Sequence, residues 1–170
     1  AMPLIASHRH SAADLECWSR TERAARLHAQ LTHHRRQVQR SEDAMLSFTG
    51  AGRGYAGVSW GKDSVVIAGL IARMVPRWPL VWIRVEPIVN PDCLLVRDAF
   101  LAAHPAVRYE EIVEWCTRDA TGWHATGTLE RGFRTAALRY GARYLSGIRA
   151  EESGIRKLRV AKYGLLAANT

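Results

Sequence analysis

Apolar residues in the N-terminal third of the chain recur at the spacing of an α-helix. Between residues 19 and 47 these positions are Leu27, Leu31, Val38 and Met45. Ser19 and Glu22 match a capping box, in which each side chain accepts a hydrogen bond from the backbone of the other residue. The pattern predicts one long helix over residues 19–47, within an N-terminal helical extension formed by residues 1–50.

From residue 51 onward, short runs of β-favouring residues alternate with helical patterns. The predicted strands cover residues 55–59, 80–85, 107–113 and 143–147. The predicted helices cover residues 64–74, 91–103 and 128–140, and a loop at 117–127 precedes the last of them. Strands that alternate with helices form a parallel sheet with helices on both faces. We therefore expect an α/β, Rossmann-like open parallel sheet over residues 51–170.

Length and composition narrow the class of protein. The 170 residues, 48% of them hydrophobic, are enough for one globular domain with a buried core. No apolar run reaches the roughly 18 residues of a membrane span, and residues 1–10 lack the apolar stretch of a secretory signal. Cys17, Cys93 and Cys116 are odd in number and widely spaced, which indicates neither a disulfide framework nor a zinc site. We expect a cytoplasmic protein with free thiols and no membrane association.

The net charge favours anionic partners. Lys and Arg number 24 against 16 Asp and Glu, a formal charge of +8, which suits nucleotides or nucleic acid without choosing between them. The N-terminal helix carries many of the cations: Arg20, Arg23, Arg26, Arg35, Arg36 and Arg40, with His28, His33 and His34. This surface is a candidate for contact with DNA or RNA, although a solvated helix face is the simpler interpretation because no aromatic residues are interleaved for base stacking.

Residues 59–64 lie where a strand turns into a helix, and they carry the clearest chemical pattern. Such a turn presents unpaired backbone N–H groups and the positive end of the helix dipole, which together bind phosphate. The candidate ligand-binding residues of the turn are Ser59, Trp60, Gly61, Lys62, Asp63 and Ser64. Gly61 permits close approach of the backbone, the two serines offer hydroxyl donors, and Lys62 supplies a cation. The spacing fits neither a Walker A loop nor a Gly-x-Gly-x-x-Gly fingerprint.

The hexapeptide resembles the Ser-Gly-Gly-Lys-Asp-Ser motif of the PP-loop superfamily, which contains ATP pyrophosphatases and phosphoadenosine phosphosulfate reductases. Trp60 departs from the commonest pattern. A second block begins at Ser146 and Gly147 and includes Arg149, Glu151 and Ser153; it is similar to the Gly-x-Arg-x-x-Glu-Ser segment of phosphoadenosine phosphosulfate reductase relatives. The resemblance runs from about residue 54 to the C-terminus and implies an adenine nucleotide alpha hydrolase-like fold.

In that family the first block holds the nucleotide phosphates, and the later arginines lie near the anionic end of the substrate. By resemblance, these roles pass to Lys62, Asp63 and Arg149 as catalytic residues, with Gly147 and Arg156 as further ligand-binding residues. The resemblance implies an enzyme that binds ATP with Mg²⁺ and cleaves it between the α and β phosphates to adenylylate a substrate. A sulfur-transfer pathway such as nucleic-acid phosphorothioation is the expected context, with a homo-oligomer and a sulfur-donor protein as expected partners.

Two alternatives stay open within the resemblance. The chain could reduce phosphoadenosine phosphosulfate with a thiol supplied elsewhere, or it could be a non-catalytic nucleotide-sensing subunit. The Glu-Cys-Gly-like segment that carries the reductase nucleophile is not found, and neither are the paired cysteines of an iron-sulfur cluster. These differences favour ATP-dependent activation without an iron-sulfur cluster.

Further candidates follow from the expected sheet. Open α/β sheets bind ligands at the carboxyl ends of their strands, so Glu86, at the end of the second strand, is a candidate ligand-binding residue. Trp123 and His124 lie in the predicted loop at 117–127, where a substrate lid could form, but they make no recognisable catalytic pair.

Overall fold

The computed structural model describes residues 5–120, 122–147 and 158, without the side chain of Thr126. The chain divides into two compact units, Ala1–Met45 and Leu46–Thr170. The predicted boundary after residue 50 coincides with the end of the second helix, whereas the division found in the structure falls inside that helix.

The N-terminal third of the chain forms two helices where the sequence pattern predicts one. α1 covers Ala12–His28 and α2 covers Thr32–Gly50. The capping box that starts α1 is formed by Ser11 and Asp14: the Asp14 amide donates to Ser11 Oγ at 3.2 Å, and the Ser11 amide donates to the Asp14 carboxylate at 2.8 Å. The predicted capping box at Ser19 and Glu22 is therefore wrong. Glu22 pairs instead with Arg26, one helical turn later.

The interruption between α1 and α2 consists of tight turns and contains no glycine or proline. The Gln30 amide donates to the Leu27 carbonyl and the Leu31 amide to the His28 carbonyl, so the hydrogen bonds shorten from four residues to three. α1 buries none of its residues fully, so tertiary packing does little to favour a continuous helix.

The second unit is built on a parallel sheet, as the sequence predicts. Its strands are β1 (Tyr55–Val58), β2 (Leu80–Glu86), β3 (Tyr109–Trp115) and β6 (Tyr144–Ser146). In the described ranges the strand order is β3-β2-β1-β6, and each neighbouring pair is parallel. β4 (Arg118–Asp119) and β5 (Gly122–Trp123) form a separate antiparallel hairpin inside the region predicted as a loop.

Helices α3 (Lys62–Met74), α4 (Pro91–Ala103) and α5 (Ala125–Tyr140) connect the strands. The connections through α3 and α4 step in one direction across the sheet, whereas the connection through α5 returns to the opposite side of β1. Because such crossovers are right-handed, α3 and α4 cover one face of the sheet and α5 covers the other. This agrees with the predicted helices on both faces and with a Rossmann-like arrangement.

The side chains of β2 alternate between these two faces. On the α5 side, Val81 packs in a cluster with Tyr55, Ile112 and Ala136. Leu80 and Trp82, the neighbours of Val81 in the strand, are also buried. Because successive side chains of a strand point to opposite faces, these two residues lie on the other face of the sheet. Asn90 caps α4 through its side chain and Pro91 occupies the first helical position, as predicted. Across residues 5–120 and 122–147, no helix combines the length and the apolar character needed to cross a membrane.

Candidate functional site

The turn at residues 59–64, here called the 59–64 loop, joins the carboxyl end of β1 to the start of α3. β1 is the point where the direction of the chain across the sheet reverses, because β2 follows on one side and β6 pairs on the other. In open α/β sheets a crevice forms at the carboxyl ends of the strands at such a point. The 59–64 loop therefore lies where this class of fold binds ligands.

The first turn of α3 is open toward this crevice. Gly61 is the N-cap residue, with φ −75° and ψ 165°, and no side chain caps the helix. The first amides of a helix have no carbonyl partner within the helix and carry the positive end of its dipole. Lys62 begins α3, is exposed, and makes no ion pair with a described residue. The loop thus combines backbone donors with an available ammonium group.

Ser64 fixes the shape of the loop from within. Its hydroxyl donates to the Gly61 carbonyl at 3.0 Å and accepts from the Ser59 amide at 3.2 Å. The Ser59 hydroxyl lies 3.3 Å from the same Ser64 oxygen. Ser64 is buried, whereas Ser59 is exposed. Of the two hydroxyl groups predicted to contact phosphate, that of Ser59 is the accessible one, and that of Ser64 holds the two ends of the turn together.

The end of β6 lies directly against the start of α3. A Cβ placed on Gly147 would lie 2.6 Å from the carbonyl oxygen of Asp63 and 2.9 Å from the amide nitrogen of Ser64. This approach brings Ser146 and Gly147, from the second sequence block, to the same site as the 59–64 loop. Arg149 and Arg156, the predicted cationic residues of that block, lie outside the described residues.

A cavity of about 410 Å³ lies at this junction. Its polar lining includes Ser59, Gly61, Lys62, Asp63, Ser64, Ser146 and Gly147. Its apolar lining includes Val81, Ile83, Leu129, Phe133 and Tyr144. The sequence analysis did not identify these apolar residues, although Leu129 and Phe133 are four residues apart and hence on one face of α5. The cavity therefore offers polar groups to an anion and apolar side chains to an uncharged group.

The Trp60 side chain turns away from this cavity. Its indole is 2% exposed and packs on Phe100 and Tyr109, with ring centroids 5.3 and 5.6 Å apart. Trp60 does not line the cavity, so among its groups only the backbone can reach a ligand bound there.

Glu86 is the last residue of β2 and is half-buried in an ion pair with Arg84. Arg84 also pairs with Glu111 of β3 at 3.1 Å. Glu86 is thus part of a charge network on β2 and β3. The sequence analysis missed Arg84 and Glu111. The register partner of Arg84 on β3 is Val113, and Glu111 lies two residues before it, so this diagonal pair becomes evident only once the strand register is known.

The cysteines and the loop histidine do not form an activated group in the described structure. Cys17 is exposed, and Cys116 is buried. Burial raises the pKa of the Cys93 thiol, and Asp92 raises it further, which opposes formation of a nucleophilic thiolate. His124 lies 2.6 Å from Asp119, and both side chains are exposed on the β4–β5 hairpin. Within the described ranges, no three His, Cys, Asp or Glu side chains form a group that could hold a metal ion.

The chain matches no protein-family model, no curated protein and no solved structure. Its function must therefore be inferred from its own residues and their geometry.

Proposed function

We propose that this protein binds ATP with its phosphates at the 59–64 loop and cleaves it between the α and β phosphates to adenylylate a substrate. This is the activity of the PP-loop ATP pyrophosphatases that its two sequence blocks resemble, and it implies an adenine nucleotide alpha hydrolase-like form of the fold. The observation that carries the proposal is the cavity at the β1–β6 switch point, which joins the 59–64 loop to an apolar wall.

The polar lining of the cavity has the donors that a polyphosphate needs. Backbone amides at the start of α3 would donate to phosphate oxygens, with the exposed Ser59 hydroxyl as a further donor. Lys62 is the only cation among the described residues that line the cavity, and its charge would offset that of the phosphates. These groups act by position and charge, which is the main source of catalysis in phosphoryl-group chemistry.

The apolar lining of the cavity suits a nucleobase. Leu129, Phe133 and Tyr144 supply two aromatic rings and a branched side chain beside the polar loop. Cofactor sites combine such walls with a few placed polar groups, and their volumes are roughly 300–1,000 Å³. A cavity of about 410 Å³ falls within this range.

The glycine at position 61 also supports a ligand at the loop. A Cβ at Gly61 would meet only Ser59 Oγ, at 3.7 Å, and the backbone angles at Gly61 are open to any residue. The fold itself therefore does not require a glycine here. A phosphate close to the backbone would require one.

Two further groups complete the proposed chemistry. Mg²⁺ bound to the phosphate oxygens would neutralise charge as pyrophosphate leaves. Mg²⁺ keeps several waters and needs few protein ligands, and Asp63 is the only carboxylate among the described lining residues. By resemblance, Arg149 would stabilise negative charge that develops in the transition state.

Sulfur transfer, with nucleic acid as acceptor, is the proposed context. The excess positive charge of the chain is compatible with such a partner. In α1, however, Arg20 and Arg26 are paired with Glu16 and Glu22, so the helix surface is less cationic than the sequence suggests. Reduction of phosphoadenosine phosphosulfate would need a thiol supplied elsewhere, because burial and Asp92 raise the pKa of Cys93 and disfavour its thiolate.

The test is turnover by Lys62→Ala, with Arg77→Ala as the matched control. Arg77 is also exposed and without an ion pair to a described residue, but it lies outside the cavity. We expect the wild type and Arg77→Ala to release pyrophosphate from ATP, with or without added DNA, while Lys62→Ala loses this activity and keeps its fold by circular dichroism. Equal turnover by all three proteins would reject the assignment. Binding without turnover would favour the nucleotide-sensing alternative, and sulfite release from phosphoadenosine phosphosulfate with thioredoxin would favour the reductase.

A further inference from the structure

Trp60 has a backbone conformation that its side chain does not favour. Among the described residues it is the one non-glycine residue with a positive φ, 60°. In this left-handed region Cβ crowds the following carbonyl, which is why glycine is common there and a bulky residue is rare. Trp60 lies in the 59–64 loop, so the surrounding structure must hold this conformation in place.

Aromatic packing supplies the first part of that support. The indole is enclosed by Phe100 of α4 and Tyr109 of β3. Its Nε1–H donates to Tyr109 Oη at 3.4 Å, a long hydrogen bond, so ring contact is the stronger restraint. The loop is thereby tied to two elements far from it in sequence.

A charge network holds Tyr109 in turn. Tyr109 Oη donates to Glu111 Oε1 at 2.8 Å, and Glu111 also accepts from Arg97 at 2.6 Å. Burial and then the bond to Glu111 raise the pKa of Tyr109, so its phenol remains a neutral donor. Burial opposes ionisation of Glu111, but the bonds from Tyr109 and Arg97 outweigh it and lower the pKa of this carboxyl. The donor and the acceptor are therefore both fixed in the required protonation states.

We propose that Trp60 is a positioning residue for the phosphate-binding loop, held in its left-handed conformation by Tyr109 and, through Tyr109, by Glu111. The inference rests on the proposed function, because the conformation it explains is that of the loop assigned to phosphate. The affinity of the loop for phosphate then depends on residues of β3 and α4 that do not themselves contact the ligand. By reciprocity, a bound phosphate stabilises the packing of Trp60.

The test compares Tyr109→Phe with Tyr140→Phe. Each tyrosine donates to a glutamate of β3, but Tyr140 donates to Glu110 and belongs to the cluster on the α5 side, which does not include Trp60. The probe is the non-hydrolysable α,β-methylene analogue of ATP with Mg²⁺, titrated calorimetrically. Amide exchange at residues 60–64 in the ligand-free proteins gives a second measurement that does not depend on binding.

We expect Tyr109→Phe to weaken binding by about threefold, the effect of one lost hydrogen bond, and to speed amide exchange in the loop, with Tyr140→Phe unchanged in both. Trp60→Phe, which retains an apolar ring, should bind better than Trp60→Ala. If Trp60→Ala does not fold, the comparison of Trp60→Phe with the wild type still tests the inference. Wild-type affinity and wild-type loop exchange in both Tyr109→Phe and Trp60→Phe would overturn it. If those variants bind normally while Lys62→Ala does not bind, only the positioning role fails; if the wild type does not bind the analogue, the proposed function fails with it.

Discussion

Gly147 and Asp63 approach so closely that no side chain fits between them: a Cβ on Gly147 would lie 2.6 Å from the Asp63 carbonyl oxygen. The clash is with backbone, which cannot rotate away as a flexible side chain can. We expect Gly147→Ala to lower the free energy of unfolding by about 1–3 kcal/mol, the usual cost of overpacking. Chemical denaturation measures this change, and an unchanged midpoint would contradict the close approach.

Gly61→Ala should behave in the opposite way. The added methyl meets only Ser59 Oγ, at an ordinary contact distance of 3.7 Å, so stability should stay within about 0.5 kcal/mol of the wild type. Gly61 lines the cavity beside Ser59 and Lys62, so the same methyl would hinder a phosphate bound to the loop. We therefore expect normal denaturation with nucleotide affinity reduced at least tenfold. Normal affinity would mean that phosphate does not approach position 61.

Gly132 on α5 allows the helix to pack against β2. A Cβ there would clash with Ile83 Cγ2, so Gly132→Ala should destabilise the protein by about 1–3 kcal/mol. In an Ile83→Ala background the same change should be neutral or stabilising, because alanine is favoured over glycine in helices by about 1 kcal/mol. A double-mutant cycle measures this coupling, and additive effects would argue against the contact.

The alkaline stability of the fold should depend on Tyr55. Burial, and to a smaller extent the charge of Tyr144, raise the pKa of Tyr55 from about 10 to about 12. The folded state therefore favours the neutral phenol, and its contribution to stability is complete below pH 10 and lost as the pH rises toward 12. Between pH 10 and pH 11, we expect the free energy of unfolding of Tyr55→Phe to fall by about 1 kcal/mol less than that of the wild type. Parallel stability curves for the two proteins over this range would refute the shift.

Glu111 should contribute to stability in the opposite pH range. Its pKa is lowered in the folded state, because the bonds from Tyr109 and Arg97 outweigh the effect of burial. This contribution is present above the ordinary glutamate pKa near 4.5 and is lost as the pH falls through the lowered value. The stability difference between the wild type and Glu111→Gln should therefore shrink from pH 6 to pH 3. A constant difference would show that the carboxylate charge is not responsible.

The sheet could be predicted because its signals are local. Runs such as residues 80–85 favour strands whatever their neighbours, and Asn90-Pro91 marks a helix start by side-chain chemistry alone. The break at Ala29 has no such signal. The helix breaks there because α1 buries no residue fully, and burial depends on the tertiary structure rather than on the local sequence. The capping box at Ser11 also departs from the usual pattern, because it uses Asp14 where Glu or Gln is common.

The candidate site was predictable to a similar extent. The order of glycine, lysine and serine around residue 61 indicates a phosphate loop because these residue types supply the needed groups in any context. The orientation of Trp60 could not be read from the sequence, since it is decided by Phe100 and Tyr109, which reach it from distant segments. The ion pair of Glu86 likewise becomes apparent only in the folded sheet.

The pairing of β1 with β6 has a consequence for how the protein is made. Tyr55 and Tyr144 are register partners although most of the second unit separates them in the chain. Contacts between such distant segments form slowly, because a large loop must close before they gain any stabilisation. On the ribosome, β1, β2 and β3 can assemble in order as they emerge, but the wall supplied by Gly147 is synthesised long after the 59–64 loop. A nascent chain therefore acquires its crevice only after the segment that contains Gly147 has been synthesised.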